Sequence, residues 1–68
     1  MQLNKTKGSS VSALGYEAKG KQMQAMFANN SIYQYENISQ AEYDSVVNAE
    51  SVGSKLKEVV KGKDYRKL

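Results

Sequence analysis

Residues 21–28 and 31–36 alternate with period two on either side of Asn29-Asn30. Side chains two apart on a strand share a face, so each segment reads as a strand. In the first, Met23, Ala25 and Phe27 share one face, while Gln22, Gln24 and Met26 share the other. Asn tolerates positive φ, which makes Asn29-Asn30 the turn of an antiparallel hairpin. The length of that turn decides where Tyr33 and Tyr35 point. A two-residue loop sets Phe27 opposite Ile32 and Ala25 opposite Gln34. Both tyrosines then leave the Met23 face and form an exposed aromatic platform. A three-residue loop at 29–31 sets Phe27 opposite Tyr33 and Ala25 opposite Tyr35, and both tyrosines join the Met23 face. The second register builds the larger core. Burying one large apolar side chain is worth about 1.5–3 kcal/mol. A domain of this length buries only about 60% of its unfolded surface, so it can hardly forgo that gain. Core packing is thus the favoured role for at least one tyrosine, with its hydroxyl at an edge.

Upstream, residues 11–16 carry β-branched and aromatic side chains and form a further strand, with Gly15 marking a bulge or a close backbone approach. Residues 17–20 are a turn ending in Gly20, and the polar residues 1–8 read as a loose leader. Beyond Glu36 the period changes. Ser39-Gln40-Ala41-Glu42 fits a capping box, and Tyr43, Val46 and Val47 make the apolar stripe of the helix it opens. Gly53 is the expected end of that helix, and Ser54 the cap of a second, shorter one. Leu56, Val59 and Val60 share a face of the second helix, and Gly62 sits where a terminator belongs. Residues 64–68 are either a tail or a segment that docks Tyr65 and Leu68 back on the body. The expected fold is α+β. A three-stranded antiparallel sheet is followed by two short helices packed on one face, as a single domain over residues 9–65.

The inventory of reactive groups is thin. The 68 residues contain no Cys and no His. That removes disulfides, thiolate metal sites, the commonest metal ligand and the usual general base near neutral pH. Glu42 and Asp44 are two apart on a helix and face different directions, as suits charges at a helix N-terminus. Ser9, Ser10 and Ser51 have no evident base to activate them and suit turns and caps. The glycines do not form a phosphate loop. The chain is therefore read as non-enzymatic, with no cofactor, no metal and no small-molecule substrate. No apolar run approaches the roughly 20 residues of a membrane helix, and no segment resembles a signal peptide, so a cytoplasmic protein is expected.

Charge is uneven. Up to Ser54, four lysines face five carboxylates; from Lys55 onward six basic residues face two acidic ones, so all of the +3 excess lies at the C-terminal end. Such a stretch is either a solvated helix face and tail or a contact surface for a polyanion. Lys57 and Lys61 are four apart and share a helix face, which Lys55, Lys63, Arg66 and Lys67 extend.

The order Ser9-Ser10, Gly15-Tyr16 and an acidic residue, the alternating strand ending in Phe27, Tyr33-Gln34-Tyr35, Tyr43, Ser51-x-Gly53 and Lys61 resembles the KTSC domain. That short domain occurs at the C-terminus of some lysyl-tRNA synthetases and as stand-alone proteins of bacteria and their phages. The resemblance spans nearly the whole chain. It implies no catalytic residues, and its association with a tRNA-charging enzyme points toward RNA. Two departures stand out. Ser39 opens the helix where the family usually has Pro, and Lys55-Leu56 stands where an aromatic is common. The resulting expectation is a small RNA-binding module. Lys57, Lys61, Lys63, Arg66 and Lys67 would hold phosphates, and Tyr33 or Tyr35 would stack a base. The alternative is a protein-interaction or structural module, homodimeric or bound to another protein, with no nucleic-acid role.

Overall fold

The computed structural model describes residues 2–68. Seven elements follow in order: β1 (Asn4–Lys5), β2 (Val11–Glu17), β3 (Gln22–Phe27), β4 (Ile32–Tyr35), α1 (Gln40–Val47), α2 (Val52–Val60) and β5 (Tyr65–Lys67). The strands form one five-stranded antiparallel sheet in the order β1-β2-β3-β4-β5. The fold is thus α+β with two helices and an antiparallel sheet. The sheet has five strands rather than three.

Both additional strands are edges too short for periodicity to mark. β1 lies within the segment expected to be a loose leader. The Thr6 amide donates to the Ser12 carbonyl at 3.0 Å, and the Thr6 hydroxyl donates to the Val11 carbonyl. β5 is exposed along its whole length and is held by its backbone. The Glu36 amide donates to the Asp64 carbonyl at 2.9 Å, and the Leu68 amide to the Ile32 carbonyl at 2.8 Å. Backbone pairing satisfies groups that every residue carries, so it leaves no signature in side-chain type.

The β3–β4 turn settles the tyrosines. The loop holds three residues, 28–30, one residue earlier than expected. The Phe27 amide donates to the Ser31 carbonyl at 2.9 Å, and Asn30 takes φ 70°. The register pairs Met23 with Tyr35 and Ala25 with Tyr33. Moving the loop by one residue shifts the partners by two and preserves the faces. Both tyrosines therefore join Met23, Ala25 and Phe27, as the larger-core register requires.

The core lies between that face and the helices. Val11, Leu14, Met23, Ala25, Tyr35 and Ile38 meet Val46, Val52 and Leu56. An irregularity between Val11 and Ala13 brings both Val11 and Leu14 to the helix side, although they are three apart. The bulge is at Ser12, not Gly15. Gly15 instead serves a close approach: a β-carbon there would sit 2.5 Å from the Gln2 carbonyl oxygen and 3.0 Å from Leu3 Cδ2.

Helix α1 begins with the expected capping box. The Glu42 amide donates to Ser39 Oγ at 3.1 Å, and the Ser39 amide to Glu42 Oε1 at 2.8 Å. It ends earlier than expected, at Asn48, and Gly53 is not its terminator. Ser51, not Ser54, stands at the N-cap of α2, without a side-chain capping hydrogen bond, and Gly53 lies inside the first turn. A β-carbon at Gly53 would collide with Ser10 Oγ, so the glycine serves packing rather than helix termination. Gly62, at φ 81°, ends α2 as expected.

Candidate functional site

Two cross-strand rows run over the helix-side face of the sheet. One is Tyr16, Met23, Tyr35, Tyr65; the other is Leu14, Ala25, Tyr33, Lys67. The helices cover one end of these rows and not the other. Exposure along the first row rises from 0% at Met23 to 8% at Tyr35 and 64% at Tyr65. The second runs from buried Leu14 and Ala25 through half-buried Tyr33 to exposed Lys67. At the covered end Tyr16 stacks on Tyr43 of α1, with ring centroids 5.0 Å apart, and donates its hydroxyl to the Ile38 carbonyl at 2.6 Å. At the open end lies an aromatic strip.

Within the strip, Phe27 meets Tyr33 edge to face at 5.6 Å. Tyr33 and Tyr35 lie 6.5 Å apart at an interplanar angle of 19°. Tyr65 sits 5.9 Å from Tyr33 and 6.1 Å from Tyr35. Burial, and then the neighbouring Tyr33 and Tyr65, push the Tyr35 phenol above its usual pKa. Three depressions share Tyr35. The largest, about 390 Å³, separates Phe27 and Tyr35 from Leu56, Lys57 and Val60 of α2, with Ser10 and Ser54 among its lining. A second of about 340 Å³ runs over Phe27 and Tyr33 toward Asn29. A third of about 320 Å³ lies between Tyr33, Tyr65, Val60 and Lys63.

The basic residues expected to act together are divided. Lys57 lines the largest depression and Lys63 the third. Lys67 lies opposite Tyr33 and so on the same face. Lys63 is also tied down: its ammonium donates to the Asn37 carbonyl at 2.7 Å and pairs with Glu42 at 3.5 Å. Lys61 falls outside the lining of these depressions. It is the C-cap of α2, at φ −58° and ψ 122°, so the helical spacing from Lys57 no longer fixes its direction. Arg66 pairs with Gln34 and therefore faces the opposite side of the sheet.

That opposite side is a polar ladder. Gln24 donates to Gln34 at 2.9 Å; Gln34 and Gln22 then donate to the two Glu36 oxygens at 2.9 and 3.1 Å. These two hydrogen bonds, and then the Arg66 charge, hold the Glu36 carboxyl below its usual pKa. Glu42 is lowered as well, first by the Ser39 amide and then by Lys63.

Tyr65 and Phe27 are the strip members that site reasoning from sequence omitted. Phe27 read simply as core. Tyr65 stood in a segment left open between a tail and one docked on the body, and three residues carry no period that would mark a strand.

A family model for the KTSC domain matches residues 7–65. The chain belongs to the KTSC domain family. A KTSC domain protein from Yersinia pestis, known from its crystal structure, superposes with a TM-score of 0.92 at 24% identity, covering 98% of this chain and 96% of that one. At that identity the likeness speaks for the KTSC fold alone. No curated protein matches the chain. Several residues that carried the KTSC resemblance have architectural work in this structure. Gly15 admits the N-terminal segment, Tyr16 and Tyr43 bind sheet to α1, and Gly53 seats α2 on Ser10. Phe27, Tyr33 and Tyr35 are the ones that also reach the open strip.

Proposed function

We propose that this KTSC domain is a small non-enzymatic module that binds single-stranded RNA along the Phe27–Tyr33–Tyr35–Tyr65 strip. One observation carries the reading: the row from Met23 through Tyr35 to Tyr65 passes from full burial to open solvent and stays aromatic where it opens. Apolar surface left uncovered beside lysines suits a ligand that is flat and apolar on its bases and anionic on its backbone. Unpaired bases stack on aromatic rings, at about 1–3 kcal/mol per base. The ring centroids stand 5.9 to 6.5 Å apart, which suits bases splayed along an extended strand rather than stacked in a duplex. Lys57 and Lys67 are exposed around the strip and suit phosphate contacts. The absence of His and Cys weighs against acid–base or thiol chemistry at the same place.

The test is a titration of labelled mixed-sequence RNA hexamers, single-stranded and as duplexes, at low and moderate salt. The reading expects binding of the single strand that weakens with salt, and much weaker binding of the duplex. Absence of single-strand binding at millimolar protein and low salt would overturn it.

A further inference from the structure

The largest depression differs from the rest of the strip. It is a cleft between sheet and helix rather than a surface. Phe27 and Tyr35 form one wall, and Leu56 and Val60 of α2 the other. Small-ligand pockets run from about 300 to 1,000 Å³, so at about 390 Å³ this one suits a single planar group rather than a chain segment. Its polar equipment is the hydroxyls of Ser10, Ser51 and Ser54, the Tyr35 phenol and the Lys57 cation. Ser54 Oγ accepts from Ser51 Oγ at 3.0 Å, and among the described residues neither the Ser54 proton nor the Ser10 hydroxyl has a hydrogen-bond partner. Lys57 stands on the helix turn after Ser54 and lines the same cleft. Gly53 leaves room for the Ser10 hydroxyl, because a side chain there would meet it.

We infer that this cleft is a pocket for one unstacked base of the bound strand, its edge met by Ser10 and Ser54 and its phosphate by Lys57. The inference rests on the RNA reading and adds a selective element to it. Stacking on tyrosines is indifferent to base identity, since every base has a π-face. A cleft with hydroxyls at its mouth is not, because a base that cannot pair with them forgoes those hydrogen bonds. Tyr35 belongs to both the cleft and the strip, so a base in the cleft and one over Tyr33 are neighbours on one strand. The positive charge at Lys57 makes a nucleotide a better occupant than an uncharged aromatic group.

The experiment compares uridine, adenosine and cytidine RNA hexamers with the wild type, Ser54→Trp and Tyr65→Ala. Ser54 is exposed, so the indole fills the mouth of the cleft without entering the core. Wild type should rank the three hexamers unequally. Ser54→Trp should weaken the preferred hexamer about tenfold, within the range for one lost base contact, and level the ranking. Tyr65→Ala should weaken all three alike and keep the ranking. If Ser54→Trp unfolds, Ser54→Ala should still flatten the ranking. Equal wild-type affinities, or a ranking that survives Ser54→Trp or a folded Ser54→Ala, would overturn the pocket and leave strip binding standing. Failure of the wild type to bind any hexamer would overturn both.

Discussion

The hydroxyl of Ser10 occupies the space that a β-carbon on Gly53 would take. The two residues meet beside the cleft over Phe27 and Tyr35. The contact predicts strong coupling between the two positions. Ala is preferred over Gly in a helix by about 1 kcal/mol. In a Ser10→Ala background, where the obstructing oxygen is gone, Gly53→Ala should realise most of that gain. In the wild-type background the hydroxyl must rotate away, and the gain should shrink or reverse. A double-mutant cycle by urea denaturation measures the difference. Equal effects of Gly53→Ala in both backgrounds would show that the contact has no energetic weight.

Gly15 should behave differently. There the obstacle is backbone, the Gln2 carbonyl oxygen at 2.5 Å from the ideal β-carbon, and no side-chain rotation relieves it. Gly15→Ala should cost about 1–3 kcal/mol, the usual range for overpacking, by detaching the N-terminal segment. Hydrogen exchange reads this directly. The Thr6 amide, bonded to the Ser12 carbonyl, should lose protection while amides in the β3–β4 hairpin keep theirs. Unchanged protection at Thr6 would contradict the account.

Stability should fall on both sides of neutrality. Glu36 and Glu42 titrate below their usual carboxylate range when folded. A lowered folded pKa stabilises above the unfolded pKa, and that contribution is lost as pH drops through the folded value. The acid limb should therefore begin as pH falls through the ordinary carboxylate value of 4.5 and run on below it. It should be shallower in Glu42→Gln, which starts from lower stability at neutral pH. Tyr35 is shifted the other way. Its raised folded pKa stabilises below the ordinary phenol value of 10.0, and the contribution disappears as pH rises through the folded value. Thermal melts across pH check both limbs. An acid limb identical in wild type and Glu42→Gln would show that the capping box does not carry it.

Sequence periodicity captured the interior of the fold. The β3–β4 faces, the Ser39–Glu42 capping box and the Gly62 terminator all follow from side-chain chemistry within a few residues. What it missed depends on distant backbone. Asn4–Lys5 and Tyr65–Lys67 are strands because β2 and β4 offer them hydrogen bonds, and a glycine suits position 53 inside α2 because the Ser10 hydroxyl fills the place of its β-carbon. The site was legible to the same depth. Tyr33 and Tyr35 could be placed on a face by register, but the lysines could not be sorted. Without β5, nothing in the sequence shows that Arg66 and Lys67 face opposite sides of a sheet.

That sorting makes a sharp prediction for binding. Lys57→Gln and Lys67→Gln should each weaken single-stranded RNA and reduce the salt slope by about 0.7, the share of one phosphate on a single strand. Arg66→Gln should leave affinity nearly unchanged, because its side chain belongs to the Gln34–Glu36 face. A loss in Arg66→Gln equal to that in Lys67→Gln would place the contact surface elsewhere.

The most direct measurement follows the backbone and tyrosine-ring resonances of isotope-labelled protein during titration with a single-stranded RNA hexamer at low salt. The account predicts shifts concentrated at Phe27, Tyr33, Tyr35, Lys57, Tyr65 and Lys67, with Gln22, Gln24 and Gln34 unmoved. Shifts confined to the glutamine face, or no shifts at saturating RNA, would contradict it.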